Sequence, residues 1–369
     1  MKYASWKVVW IALVGSLQTL TAQPVTKFAG EGSIERRWDW AVKEAVARGT
    51  NDYWIVYGIK RLMDEDSYLS SGSSIFGTMS TQHDLYDQLQ RFDSTDDDIK
   101  HAAKHGLRRY NEHGRSIEKK LKDVAIIARR SNGIFTSIDV SNLELDFRFR
   151  NLLVYWLGVA EKEESLMLLV NLSSSFADPK QRKHWVRAIG LHQSPSVRAA
   201  LTKVLESDEH PEVQAEAAEW LGEQNTNDIL PVLEKTVIKA TTDRLIEAGV
   251  NGISKVETDE STELLVKLAK NGKNSKVRKK AAFWLGQRAT AKSDAALNDI
   301  LENDIDVDVQ RQALYAIAQN RDLNAVDRLI KVAQTHSKSS IRKQAIYLLS
   351  DKAEGDDRAL DALIAFTKK

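Results

Sequence analysis

The chain has 369 residues, enough for two domains, and its 53 Lys+Arg against 52 Asp+Glu leave a formal net charge of +1. That balance removes any bulk electrostatic case for nucleic acid or an anionic membrane surface. Cysteine is absent, which excludes disulfides, thiol catalysis, cysteine-ligated zinc and a bacterial lipoprotein anchor.

Residues 1–22 read as an export signal: Lys2 and Lys7 form the basic start, Val8 to Leu20 the apolar core, and Ala22-Gln23 a cut site. Leu20 stands where a small residue is usual, and an uncleaved anchor is the alternative. The run is, however, shorter than the roughly 20 residues a spanning helix needs. The reading is a soluble exported protein, periplasmic or extracellular, with no integral membrane segment after signal removal.

Residues 23–147 predict a small α+β domain. Ile34, Trp38, Ala41, Val42 and Ala45 follow helical spacing, with Gly49 as the stop. Tyr53 to Met63 is dense in aromatic and β-branched residues and reads as a strand. A Ser/Gly-rich loop at Ser67 to Ser74 precedes helices expected near 81–91 and 96–112. Val124 to Arg130 and Ile134 to Val140 flank Asn132-Gly133, a hairpin signal because both turn residues tolerate positive φ, and Leu143 to Phe147 is a candidate further strand. The module is expected to cap the carboxy-terminal part of the chain.

From residue 148 to 369 the chain repeats. Val277-Arg278-Lys279-Lys280-Ala281-Ala282-Phe283-Trp284-Leu285-Gly286 returns after 32 residues at Val309 and again at Ile341; backward steps land on Leu245, Val213, Gln181 and Phe149. A fixed period of this size signals stacked helix pairs. Within each unit apolar or small residues fall at offsets 0, 4, 5 and 8 from the anchor, one helical face, and a second amphipathic run comes after it. One pair buries too little to offset its conformational entropy, so stability must come from neighbours. The expected fold class is mainly α: an α-solenoid of seven such pairs after a small α+β domain. Arg358, Asp361, Lys368 and Lys369 are expected to give the last helix a polar outer side.

The pattern V-[RQ]-x-x-A-x-x-x-L-G with a following amphipathic helix resembles HEAT repeats of the bilin-lyase-like (PBS lyase) subtype over about 149–369. The resemblance implies a binding scaffold whose first helices line a concave groove. It also resembles exported bacterial proteins that join a small amino-terminal domain to such repeats. A bilin-lyase-like enzyme is one alternative, opposed by the export signal, because those enzymes act on cytoplasmic proteins. A nucleic-acid-binding HEAT protein is another, opposed by the neutral charge.

No catalytic constellation emerges. His101 and His105 are four apart on an expected helix, with His113 beyond, a spacing open to zinc or to a solvated face; the dipeptide His-Glu is absent. Asp93, Asp96, Asp97 and Asp98 lack the glycine and terminal glutamate of a calcium loop and read as helix-start charge. Ser71-Gly72-Ser73-Ser74 reads as a loop without a local histidine partner, and no P-loop, dinucleotide fingerprint or G-x-S-x-G occurs. No cofactor or metal is expected.

Three further patterns are repeat-borne. Trp156, Trp220 and Trp284 alternate with Ala188, Gly252 and Ala316 at offset seven, as core packing or as a ligand cage. Gly249 and Gly252 mark unit four as close packing against the flanking tryptophans or as a flexible point. Arg150, Arg182, Gln214, Arg278, Gln310 and Arg342 suggest a ladder to Asp178, Asp208 and Asp304, as the resemblance implies.

Offset six should face solvent, and in the last three units it is aromatic: Phe283, Tyr315 and Tyr347. Offset two, one turn earlier, is cationic there: Lys279, Arg311 and Lys343. These six residues are the candidate partner-binding set, suited to a protein or extended peptide, acidic or aromatic-bearing. The alternative is that the rings pack against a neighbouring helix or another subunit.

Overall fold

The computed structural model describes residues 24–65, 109–110, 116–117, 119–143 and 149–367, with isolated positions 67, 69, 145 and 147 and without 289 and 320–323. The signal read at 1–22, the helix expected near 81–91, the histidines 101, 105 and 113, the Asp93–Asp98 cluster and Ser71–Ser74 lie outside the described residues.

The amino-terminal part is a five-stranded sheet in the order β1-β7-β2-β5-β6, built from β1 (Val25–Lys27), β2 (Asp52–Asp64), β5 (Lys119–Ser131), β6 (Ile134–Asn142) and β7 (Leu153–Val159). A separate two-stranded ribbon joins β3 (Arg109–Tyr110) to β4 (Ser116–Ile117), so the described end of the helix expected over 96–112 is strand. Helix α1 (Ile34–Ala47) starts where the Ser33 hydroxyl accepts from Arg36 N, and Gly49 follows it at φ 65°. Strands β2 and β5 pair antiparallel over their full lengths, and β5 turns into β6 through Asn132 (φ 50°) and Gly133 (φ 84°), as the dipeptide predicts. The described positions of Leu143 to Phe147 are not strand.

Fourteen helices lie among the described residues. After α1 come α2 (Lys162–Asn171), α3 (Pro179–Gly190), α4 (Pro195–Ser207), α5 (Pro211–Gly222), α6 (Leu230–Lys239), α7 (Asp243–Lys255) and α8 (Asp259–Asn271). Then come α9 (Ser275–Arg288), α10 (Ala291–Asn303), α11 (Val307–Gln319), α12 (Ala325–Thr335), α13 (Ser339–Lys352) and α14 (Asp357–Thr367). The odd-numbered helices from α3 to α13 stack as one layer, the unit-opening helices, and the even-numbered helices form the other. Side-chain caps set many starts: Asp178 on Lys180 N, Ser194 on Val197 N, Thr242 on Leu245 N, Thr258 on Ser261 N and Thr290 on Ser293 N. Proline at the first helical position begins α3, α4 and α5.

The first unit departs from expectation. Its opening helix is absent, and the residues that keep the 32-residue spacing there form β7, parallel to both β1 and β2. Arg150 (φ 56°) and Asn151 (φ 57°) turn the chain left-handed ahead of it, and Gly158 has φ 80°. The alternation then suits a pleat: Val154 and Trp156 join a cluster with Trp54, Ile127, Phe147 and Phe149, while Tyr155 and Leu157 face the α1 side. The place between β1 and β2 decides the matter, because a helix at 153–159 would leave β1 without its partner and β2 without one of its two. Six complete helix pairs therefore follow a lone second helix, α2, where seven pairs were expected.

The sheet meets the solenoid along β6, whose outer edge lies on α3. Gln181 Oε1 accepts from Ile138 N at 3.2 Å, and His184 Nδ1 lies 3.1 Å from Ile138 O and 3.0 Å from Asp139 Oδ1. An edge strand covered in this way cannot pair with another chain. One apolar core runs unbroken from the α1 face of the sheet through the stacked helices to Ala359.

Candidate interaction face

Apart from the half-buried Gln181 and Ile346, the face at offsets 0, 4, 5 and 8 of each opening helix is buried against its neighbours, and offset six is the position turned most nearly away from it. In the first half of the array that outer face is occupied by its own charges. Arg187 lies 3.5 Å from Glu216, Lys183 3.4 Å from Glu212, and Arg244 Nη1 donates to Glu219 at 2.6 Å. Further along, Lys276 pairs with Asp243 and Lys280 with Glu247, and the Lys280 ammonium holds the Glu247 carboxyl below the usual range. Each of these pairs joins one repeat to the next.

From α9 onward the face changes character. Lys279, Arg311 and Lys343 are exposed; among the described residues Arg311 bonds to Asp308 on its own helix at 2.6 Å, and Lys279 and Lys343 have no ion pair. Tyr315 is 44% and Tyr347 62% exposed. Phe283 is half-buried, edge-on to Trp284 at 5.1 Å with the Lys280 ammonium 5.7 Å from its ring centre. The two tyrosines thus stand free beside cations, whereas Phe283 is partly absorbed by its own helix.

The other repeat-borne patterns are structural. Arg182 forks onto Asp208 at 2.8 and 3.2 Å, and Arg278 onto Asp304 at 2.8 and 3.0 Å, one unit apart in each case. Gln214 reaches the Asp208 carbonyl at 2.9 Å and Arg342 that of His336 at 2.7 Å. Asp178 caps α3 instead of joining this ladder, and Arg150 lies in the turn before β7.

Trp220 lies over Gly190, where a Cβ would come within 2.4 Å of the indole, and Trp284 Nε1 donates to Asn251 at 2.9 Å. Trp156 belongs to the sheet, so the expected alternation holds only from unit three. Gly252 does not pack on tryptophan: a Cβ on Gly222 would stand 2.5 Å from the Gly252 Cα, so α5 and α7 touch backbone to backbone.

One cluster escaped sequence reasoning because its members lie far apart in the chain. Tyr57 Oη is 3.0 Å from Ser165 Oγ, which is 2.9 Å from His192 Nε2, while His192 Nδ1 faces the carbonyls of Ala188 and Ile189, both at 3.1 Å. Donation from Nδ1 to those carbonyls leaves Nε2 as acceptor for the serine hydroxyl. Burial pushes the His192 imidazole down to about 4 and raises the Tyr57 phenol. All three are buried, so this chain of bonds joins sheet to solenoid and has no open approach for a substrate. No group of three or more His, Asp or Glu side chains among the described residues is placed to hold a metal, and no described helix is long and apolar enough to cross a membrane.

The family model for HEAT repeats matches residues 166–253 and 295–369. The two matched stretches are HEAT repeats. The matched stretches begin within α2 and α10, and residues 254–294 between them are unmatched. Among solved structures, human deoxyhypusine hydroxylase is 14% identical over 54% of this chain and 88% of its own, with a TM-score of 0.24. The CpcE and CpcF complex of phycocyanin lyase from Nostoc sp. PCC7120 is 19% identical over 55% of this chain and 81% of its own, at 0.29. Legionella pneumophila aminopeptidase A is 16% identical over 66% of this chain and 35% of its own, at 0.32. At these TM-scores none of them lends this helical array an activity. No curated protein matches the chain.

Proposed function

We propose that this HEAT-repeat chain is an exported, non-enzymatic scaffold that holds a protein partner through an extended acidic segment. The segment would lie across α9, α11 and α13. The observation that supports the reading is the change along the opening-helix face: charges paired between repeats from α3 to α9, then the exposed rings of Tyr315 and Tyr347 beside Arg311, which pairs within its own helix, and Lys343, which has no ion pair among the described residues. Exposed tyrosine gives contact area at low entropic cost, and uncompensated lysine attracts carboxylates without first breaking an internal pair. Lys279, Phe283, Arg311, Tyr315, Lys343 and Tyr347 form the proposed contact set. Export rests on residues 1–22 and would bring such a partner from the periplasm or the exterior.

The test is fluorescence anisotropy with a labelled Glu/Tyr copolymer, an uncharged Ser/Tyr control and a DNA duplex. Binding to the first alone, weakened at least tenfold in the F283S/Y315S/Y347S variant with its helical circular dichroism intact, is the expected result. Equal binding by the variant, or preference for the duplex, overturns the proposal. Collapse of the variant's fold would show that the rings belong to the core.

A further inference from the structure

The helix pair α13 and α14 carries an incompletely covered apolar face. At offset five of the opening helix, Val186, Ala218, Val250, Ala282 and Leu314 are all fully buried, whereas Ile346 in the same place on α13 is only half-buried. The second-helix layer shows a parallel change. Asp294 pairs with Arg328 at 3.5 Å and, 33 residues on, Asp327 pairs with Arg358 at 2.9 Å; after another 33 the acid is replaced by Leu360, 46% exposed. Ile364, one turn further along α14, is 45% exposed, and Leu363 is half-buried beside it. The expected polar outer side of α14 is therefore interrupted by an apolar stripe.

We infer that this face of α13 and α14 is a docking surface for a second copy of the same chain, joined about a two-fold axis. Two observations select that occupant. Lys343 lies near the start of α13 and Asp357 at the start of α14, and neither has an ion pair among the described residues. Paired helices run antiparallel, so these charges sit at opposite corners of the patch. A two-fold axis along the other diagonal sets each lysine against the aspartate of its partner, with Ile346, Leu360, Leu363 and Ile364 enclosed between them. Head-to-tail stacking, the other way for copies to associate, would need the opposite end of the array, where α3 is already covered by β6. The contact therefore closes as a dimer instead of growing into a filament.

Sedimentation velocity and light scattering on the full chain between 1 and 100 µM test this. A concentration-dependent dimer is expected. Leu360→Glu and Ile364→Lys should each give monomer at 100 µM with unchanged circular dichroism. Lys343→Glu should shift dimerisation to at least tenfold higher concentration, and adding Asp357→Lys should bring it back. A wild-type chain monomeric at 100 µM, a dimer indifferent to both apolar substitutions, or growth beyond the dimer overturns the inference.

Discussion

Arg288 Nη2 donates to the main-chain oxygen of Val256, one repeat earlier, at 2.7 Å. The same guanidinium also reaches the carbonyls of Ser254 and Thr258 and the hydroxyls of Ser261 and Thr262, so it satisfies the turn between α7 and α8 through main-chain and hydroxyl oxygens. Two units earlier Gln224 does a similar task, donating to the carbonyls of Gly190 and His192. Helix ends leave carbonyls without intrahelical partners, and here a side chain of the next repeat supplies the donors.

Removing that donor should be costly. Arg288→Ala strands several half-buried carbonyls and is expected to lower stability by about 2–4 kcal/mol, at roughly 1–3 kcal/mol for each group left unsatisfied and with partial relief from water. Urea denaturation followed by circular dichroism measures it. A loss below about half a kilocalorie would mean that solvent replaces the guanidinium freely.

The contact between Gly222 and Gly252 predicts opposite outcomes for two glycine substitutions. Gly252→Ala puts a Cβ 2.7 Å from the Ala218 carbonyl oxygen and must push α5 and α7 apart; overpacking of this kind costs about 1–3 kcal/mol. Gly355, where an added methyl would meet nothing within 4 Å and φ is not positive, should accept alanine with a gain of about 0.4–1 kcal/mol. Melting both variants separates the cases. Hydrogen exchange in α7 should match that of α5 and α9, since the glycines serve close packing; faster exchange confined to α7 would restore the flexible-point reading.

The ladder carries a graded prediction. Arg278 and Asp304 are nearly enclosed, at 10% and 5% side-chain exposure, and the aspartate raises the guanidinium pKa by hydrogen bonding. Asp304→Ala should cost about 3–5 kcal/mol because it leaves a buried cation unpaired. Glu263→Ala removes an exposed partner of Lys292 and should leave the denaturation midpoint almost unchanged. A double-mutant cycle on each pair, read by chemical denaturation, checks the contrast.

His192 links stability to pH. Its folded pKa, about 4, lies below the unfolded value near 6.5, so between those values the unfolded chain binds more protons. Stability therefore rises with pH through that window, and its contribution, full above pH 6.5, is lost as pH falls toward 4. The amplitude is on the order of 3 kcal/mol. Burial sets most of it; the main-chain carbonyls of Ile189 and Ala188 oppose that shift, the half-buried Arg61 guanidinium on β2 adds to it, and Glu163 on α2 opposes it. Denaturation midpoints at about pH 7.5 and 4.5 should differ clearly for the wild-type chain and much less for His192→Gln. Equal pH slopes would place the proton uptake elsewhere.

Periodicity determined the helical array, because the burial rule behind it is local: apolar side chains every three to four residues make a face, and a 32-residue repeat of that face obliges neighbours to stack. Asn132-Gly133 likewise acts within a few residues of itself, so the hairpin could be read directly. Only the tertiary structure made 153–159 a strand. Leu153 to Val159 satisfies both the repeat spacing and the strand pattern, and the choice belongs to β1 and β2, which lie about 130 and 100 residues earlier in the chain. The Tyr57, Ser165 and His192 chain and the pairing of charges across repeats depend in the same way on which helix lies beside which. Contacts between distant segments leave no period in a sequence, and that is why they had to be seen.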